Sequence, residues 1–154
     1  RSTWRTVELV DSRIGAWEIY DADVESVLVE DCRLGFTNLV GTALRDVLIR
    51  GTRIDELDLS GIDAQRVRFE DCRVGVLRLR GGSLSDVDLR GLEMTVVSGI
   101  GSLAGATISS GQLTELAPLM AVHLGLRVED GREPAPQSAP TRRTGDRTRG
   151  TTDI

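Results

Sequence analysis

Apolar residues return at every fifth position from Leu9 to Met94. The series runs through Ile14, Ile19, Val24, Val29, Leu34, Leu39, Leu44, Ile49, Ile54, Leu59, Ala64, Phe69, Val74, Leu79, Leu84 and Leu89, with no polar member. A helix repeats about every 3.6 residues and a strand about every 2, so neither holds a period of five over this length. The pattern predicts a repeat architecture. A second inward column sits two residues before each central one. Read at a spacing of ten, it splits into two sets. Val7, Trp17, Val27, Thr37, Val47, Leu57, Val67, Leu77 and Val87 are mostly large, and Ser12, Ala22, Cys32, Thr42, Thr52, Ile62, Cys72, Gly82 and Leu92 are mostly small.

A deeper period appears at twenty. Val7, Val27, Val47, Val67 and Val87 share one residue type; so do Arg13, Arg33, Arg53 and Arg73, while Glu30, Arg50, Glu70 and Arg90 alternate in sign. Residues twenty apart are therefore expected to stack, with strands of successive coils about 4.8 Å apart. The prediction is a square coil of four five-residue faces. About four and a half coils then fit between Val7 and Met94, a rod on the order of 20 Å long. The corners carry suitable residues. Asp11, Asp21, Asp31, Gly41, Gly51, Gly61, Asp71, Gly81 and Gly91 recur at every tenth position. Gly turns tightly because it lacks a Cβ, and Asp because it can bond its own backbone.

Segments such as Asp58-Leu59-Ser60-Gly61-Ile62 and Asp88-Leu89-Arg90-Gly91-Leu92 resemble pentapeptide repeats, over roughly Val7 to Leu113. The resemblance implies an all-β fold, a right-handed quadrilateral β-helix. The family favours Ala before an Asp or Asn and then Leu or Phe. Here Val, Leu, Thr or Cys mostly fills the Ala position, with Ala22 and Ala106 as the matches.

The period breaks after Met94. Thr95–Ser102, rich in Gly and Ser, is expected to be an irregular loop. A last partial coil follows out of phase, as Gly101-Ser102-Leu103, Ala106-Thr107-Ile108 and Gly111-Gln112-Leu113. Leu113, Leu116, Leu119, Met120 and Leu124 then fall at helical spacing and predict a capping helix over Gln112–Leu124. Ser109 or Ser110 can cap its start and Gly125 can end it. Pro118 predicts a kink or two short helices. Leu126-Arg127-Val128 reads as a closing strand. A solenoid end needs such covering, because it exposes apolar cross-section and unpaired backbone. This C-terminal run resembles the tail of actinobacterial pentapeptide-repeat proteins of unassigned function. The division expected is a β-helix over 1–111, a capping helix and strand over 112–130, and a disordered tail over 131–154, which is poor in apolar residues.

Composition sharpens the picture. Aromatics make up only 3% of the 154 residues, which suits a narrow solenoid filled by stacked aliphatics. The formal net charge is -5, and all 19 basic residues are Arg, as expected of GC-rich bacterial coding. Residues 1–130 hold 14 basic and 21 acidic side chains, which argues against direct nucleic-acid binding. The sequence has no apolar run long enough to span a bilayer and no evident signal peptide. A cytoplasmic protein is the expectation.

Candidate chemistry is sparse. Cys32 and Cys72 are two coils apart in one inward column, too far for a disulfide and without metal-ligand spacing; they read as core fillers. His123 is the single histidine and has no nearby nucleophile. Gly99–Gly105 lacks the strand, helix and Lys context of a phosphate loop or a serine elbow. Carboxylates at Glu18, Asp23, Asp58 and Asp63 have no cleft to shift their pKa values. No catalytic residue, cofactor or metal is assigned, and no enzyme activity is expected.

The arginine ladder Arg13, Arg33, Arg53 and Arg73 is the distinctive surface feature. It reads either as a site for an acidic partner or polyanion, or as a structural column neutralised by Asp11, Asp31 and Asp71 with help from Glu30 and Glu70. Glu30–Arg50–Glu70–Arg90 reads as a structural charge ladder. The leading expectation is a non-enzymatic scaffold or protein-interaction module that displays charged columns rigidly. The alternative follows from the family resemblance: some pentapeptide-repeat proteins mimic B-DNA, bind DNA gyrase and confer fluoroquinolone protection. Homodimerisation through Leu113, Leu116, Leu119 and Met120 is also expected.

Overall fold

The computed structural model describes residues 1–131; the expected tail otherwise lies outside the described residues. Ten strands follow one another at short intervals: β1 (Thr3–Val10), β2 (Arg13–Glu18), β3 (Asp23–Glu30), β4 (Arg33–Asn38), β5 (Ala43–Arg50), β6 (Arg53–Asp58), β7 (Asp63–Glu70), β8 (Cys72–Arg78), β9 (Ser83–Asp88) and β10 (Leu92–Ser98). A 3-10 turn (Ile100–Leu103), a short β11 (Ala106–Thr107) and a helix α1 (Ser110–Leu124) complete the described chain. The strands form two parallel sheets, β1-β3-β5-β7-β9-β11 and β2-β4-β6-β8-β10. The fold is a β-solenoid of about five coils.

The period of twenty is the register itself. Val7, Val27, Val47, Val67 and Val87 pair in succession. Each of β1, β3, β5, β7 and β9 bends once, at a residue in the left-handed region: Thr6, Ser26, Asp46, Arg66 or Asp86. None is glycine, so the sequence did not mark this corner. The corners at Asp11, Asp21, Asp31, Gly41, Gly51, Gly61, Asp71 and Gly81 are left-handed, a conformation that Gly and Asp tolerate, but Gly91 is not. A Cβ at Gly91 would run into the Phe69 carbonyl, so close approach rather than left-handed geometry calls for glycine there.

The inward columns form one continuous core. Val24, Val29, Leu34, Leu39, Leu44 and Ile49 are all buried, as are Thr37, Thr42 and Thr52. The small column has a polar task beyond filling space. Ser12 Oγ, Cys32 Sγ, Thr52 Oγ1 and Cys72 Sγ donate to the carbonyls of Val10, Glu30, Arg50 and Glu70, each two residues back, at 2.9–3.2 Å. These bonds occupy carbonyls beside the corner. On the axis the aliphatics leave an apolar space of about 50 Å³, with Ala64, Val67 and Phe69 in its wall.

Three expectations at the C-terminal end are corrected. Thr95–Ser98 belong to β10, because Val96, Val97 and Ser98 pair with Val76, Leu77 and Arg78 of the coil below. Ladder pairing outweighs the local composition. The phase shift itself is present: Ala106 pairs with Val87, nineteen residues back. Pro118 lies within a single helix, α1. It is exposed, as is Thr114, whose carbonyl has no Pro118 N–H to accept from. Finally, Leu126–Val128 is not a strand. Gly125 N–H donates to Val122 O and Leu126 N–H to Ala121 O, so Leu126 is committed to the helix C-cap.

Ser109 caps α1 in a reciprocal box with Gln112. Gln112 Nε2 also donates to Leu89 O at 2.6 Å and Leu92 O at 2.8 Å. Column position 92 is Leu, which has no donor for the carbonyl two residues back; Gln112, one register step on, reaches Leu89 O 23 residues back, as Cys32 Sγ reaches Leu9 O and Cys72 Sγ reaches Ile49 O. No helix among the described residues is long and apolar enough to cross a membrane.

Candidate functional site

Arg13, Arg33 and Arg53 open β2, β4 and β6, and Arg73 is the second residue of β8, each directly after the corner and the inward small residue. Their backbones are fixed: Arg33, Arg53 and Arg73 N–H donate to Ser12, Cys32 and Thr52 O at 2.9–3.1 Å. The four stack in register, with Glu93 completing the column. All four side chains are exposed.

Their pairing divides them. Arg73 reaches Glu93 at 3.2 Å. Among the described residues, Arg13, Arg33 and Arg53 make no ion pair, although most other arginines of the coils do. Among the described residues, Asp11, Asp31 and Asp71 form no ion pair with the ladder, although Asp11 and Asp31 share a groove with it. Asp31 turns along its own corner column: its Oδ1 fills the space a Cβ at Gly51 would need. Asp21 treats Gly41 in the same way. The mixture of Asp and Gly at these corners thus has a packing reason. Glu30 and Glu70 are held by Arg50, at 3.4 and 3.0 Å. That charge ladder is present, but it ends at Glu70, because Arg90 turns to Asp88 at 2.8 Å.

Two open grooves flank the ladder. One, of about 430 Å³, lies among Asp11, Arg13, Asp31, Arg33, Gly51 and Arg53. The other, of about 330 Å³, has Gly15 and Gly35 in its floor and Arg13, Arg33, Ile14 and Asp55 around it. A Cβ at Gly35 would collide with the Gly15 carbonyl, so this floor stays bare backbone.

Of the other candidate carboxylates, Asp23 and Asp63 are in ion pairs, whereas Glu18 and Asp58 are in none among the described residues, and Asp58 Oδ1 accepts from Ser60 N–H at 3.0 Å. Asp23 meets Arg1 at 2.9 Å and Asp63 meets Arg45 at 2.8 Å. The Arg45 and Arg66 guanidiniums hold the Asp63 and Asp46 carboxyls below the usual range. The Asp88 carboxyl is pushed down to about 2, chiefly by Arg90. Cys32 and Cys72 are free and buried. Burial raises the Cys72 thiol pKa, which suits a core filler and not a nucleophile. His123 is exposed, with its ring over Gly101. Gly99 starts the 3-10 turn in a left-handed conformation, and the turn buries Leu103 in the core. The proposed dimer residues divide as well. Leu116 is buried against the coils and Met120 half-buried, whereas Leu113 and Leu119 are 49% and 40% exposed.

No protein family matches the sequence, and no curated protein does. Among solved structures, the chain has a distant similarity to two trypsin-treated variants of QnrB1, a plasmid-mediated fluoroquinolone resistance protein. One is 13% identical, with a TM-score of 0.21, over 83% of this chain and 100% of that one. The other is 14% identical, with a TM-score of 0.15, over 82% of this chain and 99% of that one.

Proposed function

We propose that this protein is a non-enzymatic scaffold, a protein-interaction module whose working surface is the arginine ladder. The observation that carries this reading is the lack of any ion pair at Arg13, Arg33 and Arg53 among the described residues, while acidic side chains surround them. Like charges stacked on neighbouring strands disfavour the fold. An acidic partner would relieve that repulsion on binding. The solenoid fixes the rungs in advance, so little backbone order has to be gained in the complex.

A triple Arg→Gln variant at 13, 33 and 53 tests the reading. It is expected to keep the wild-type circular dichroism, with a thermal midpoint at or somewhat above the wild-type value because the like charges are gone, while losing a partner that the wild type retains from cell extract at low salt. Equal retention by both proteins overturns the reading.

A second reading makes the rod a DNA mimic acting on DNA gyrase. It draws on the acidic balance of residues 1–130. The ladder stands against it, since it interrupts the negative surface along one face. Inhibition of supercoiling or drug protection at low micromolar protein would put this reading first. No effect on gyrase removes it.

The exposed Leu113 and Leu119, followed by Leu124 and Leu126, also favour self-association through the cap. A dimer in sedimentation at high micromolar concentration is expected, and a monomer there refutes it. The all-arginine basic composition fits an actinobacterial origin.

A further inference from the structure

We propose that Arg13, Arg33 and Arg53 dock the acidic face of a partner's α-helix, laid along the solenoid axis. This rests on the ladder being the interaction surface and adds the shape of what it recognises. The three residues stand in one register column, on adjacent strands of one sheet. Neighbouring strands lie about 4.8 Å apart, so the outer two rungs are separated by roughly 10 Å. On an α-helix, carboxylates at i, i+3 or i+4, and i+7 fall on one face and span about 10.5 Å along the axis. On an extended peptide, three same-side carboxylates span about 13 Å. The helix matches the ladder nearly rung for rung, and the strand overshoots it.

The surroundings select further. Arg73 is taken by Glu93, so the free column ends after Arg53. That leaves a footprint of about two helical turns. Asp11 and Asp31 line the groove on one flank. Asp55 stands in the groove on the other, where the glycine floor ends. The partner helix should therefore carry basic residues beside its acidic stripe. These flanking carboxylates and the acidic body disfavour a uniform polyanion such as DNA. The bare floor at Gly15 and Gly35 lets side chains of a docked helix approach the backbone closely.

Fluorescence anisotropy at low ionic strength tests the proposal with the full chain and four labelled probes. The first is a lactam-bridged helical peptide with Glu at i, i+4 and i+7. The second is a bridged helix of the same composition with Glu spread around it. The third is a proline-containing extended peptide of equal charge, and the fourth a single-stranded DNA of equal charge. The one-faced helix should bind about 10-fold more tightly than the spread helix, as expected for three added exposed ion pairs. Arg33→Glu should abolish that preference. This variant should fold, since it converts the column to the alternating pattern seen at Glu30, Arg50 and Glu70. Arg33→Gln provides a second variant and should weaken binding in the same direction. Equal binding of the peptide probes would show that charge alone is read; it would overturn the helix proposal and leave the interaction surface standing. Preferred binding of DNA overturns the proposal. Binding of no probe overturns it together with the ladder as an anion site.

Discussion

Thr37 Oγ1 is the buried side-chain oxygen without a hydrogen-bond partner among the described residues. It stacks in register between Trp17 and Leu57, both hydrophobic, and is 2% exposed. Thr42 and Thr52, in the other inward set, reach the carbonyls of Ile19 and Arg50. The lone hydroxyl costs desolvation with no return. Thr37→Val, nearly equal in volume, should raise stability by about 1 kcal/mol in urea unfolding. Asp88 behaves in the opposite sense. Its carboxyl is depressed to about 2, so it stabilises the fold fully above its ordinary range. That contribution is lost as pH falls from about 4 to about 2. Asp88→Asn keeps an acceptor for the Arg90 N–H and removes the charge that holds the guanidinium. The variant should be less stable at neutral pH and should show a shallower loss of stability across that acid window. An unchanged acid profile would contradict the assignment. At this scale the inward residues were legible, because their period is strict. The direction of a short polar side chain was not. Nothing in Asp31-Cys32-Arg33 says that the carboxylate turns toward Gly51 rather than Arg33.

Elements were legible wherever local chemistry and repeat agreed. The Ser109–Gln112 capping box and the Gly125 C-cap bound α1 close to where the sequence placed it. They were illegible where neighbours decide. Thr95–Ser98 looks like a loop alone and is a strand because β8 offers it a ladder. The left-handed corner at Ser26, Asp46 and Arg66 is imposed by the coil, and no residue type announces it. The cap is joined to the rod through Gln112, which satisfies two carbonyls of the last coil. Gln112→Ala leaves those acceptors open and breaks the capping box. A loss of about 2–3 kcal/mol is expected for bonds removed at a partly buried site. Hydrogen exchange should speed up first in α1 and β10, with β4 to β6 little changed. Uniform acceleration over the whole rod would show that the cap and the coils unfold as one unit.

At the scale of the whole molecule, a sequence with an acidic balance folds into a rod whose charges are sorted by column. Most guanidiniums of the coils are paired with a carboxylate, several of them across adjacent coils, as Arg50 is with Glu30 and Glu70. The free column at Arg13, Arg33 and Arg53 departs from that habit and carries the functional reading. Its existence was legible from the period of twenty; its lack of partners required the structure. Denaturant unfolding of wild type and Arg33→Glu, at low and high salt, tests it most directly. If the ladder is an unrelieved like-charge column, the variant gains two cross-strand attractions and loses two repulsions. It should then be more stable by about 0.5–1 kcal/mol at low salt, and the advantage should shrink as salt screens the charges. A variant less stable than wild type at low salt would mean that Arg33 is already neutralised within the fold, and would contradict the account.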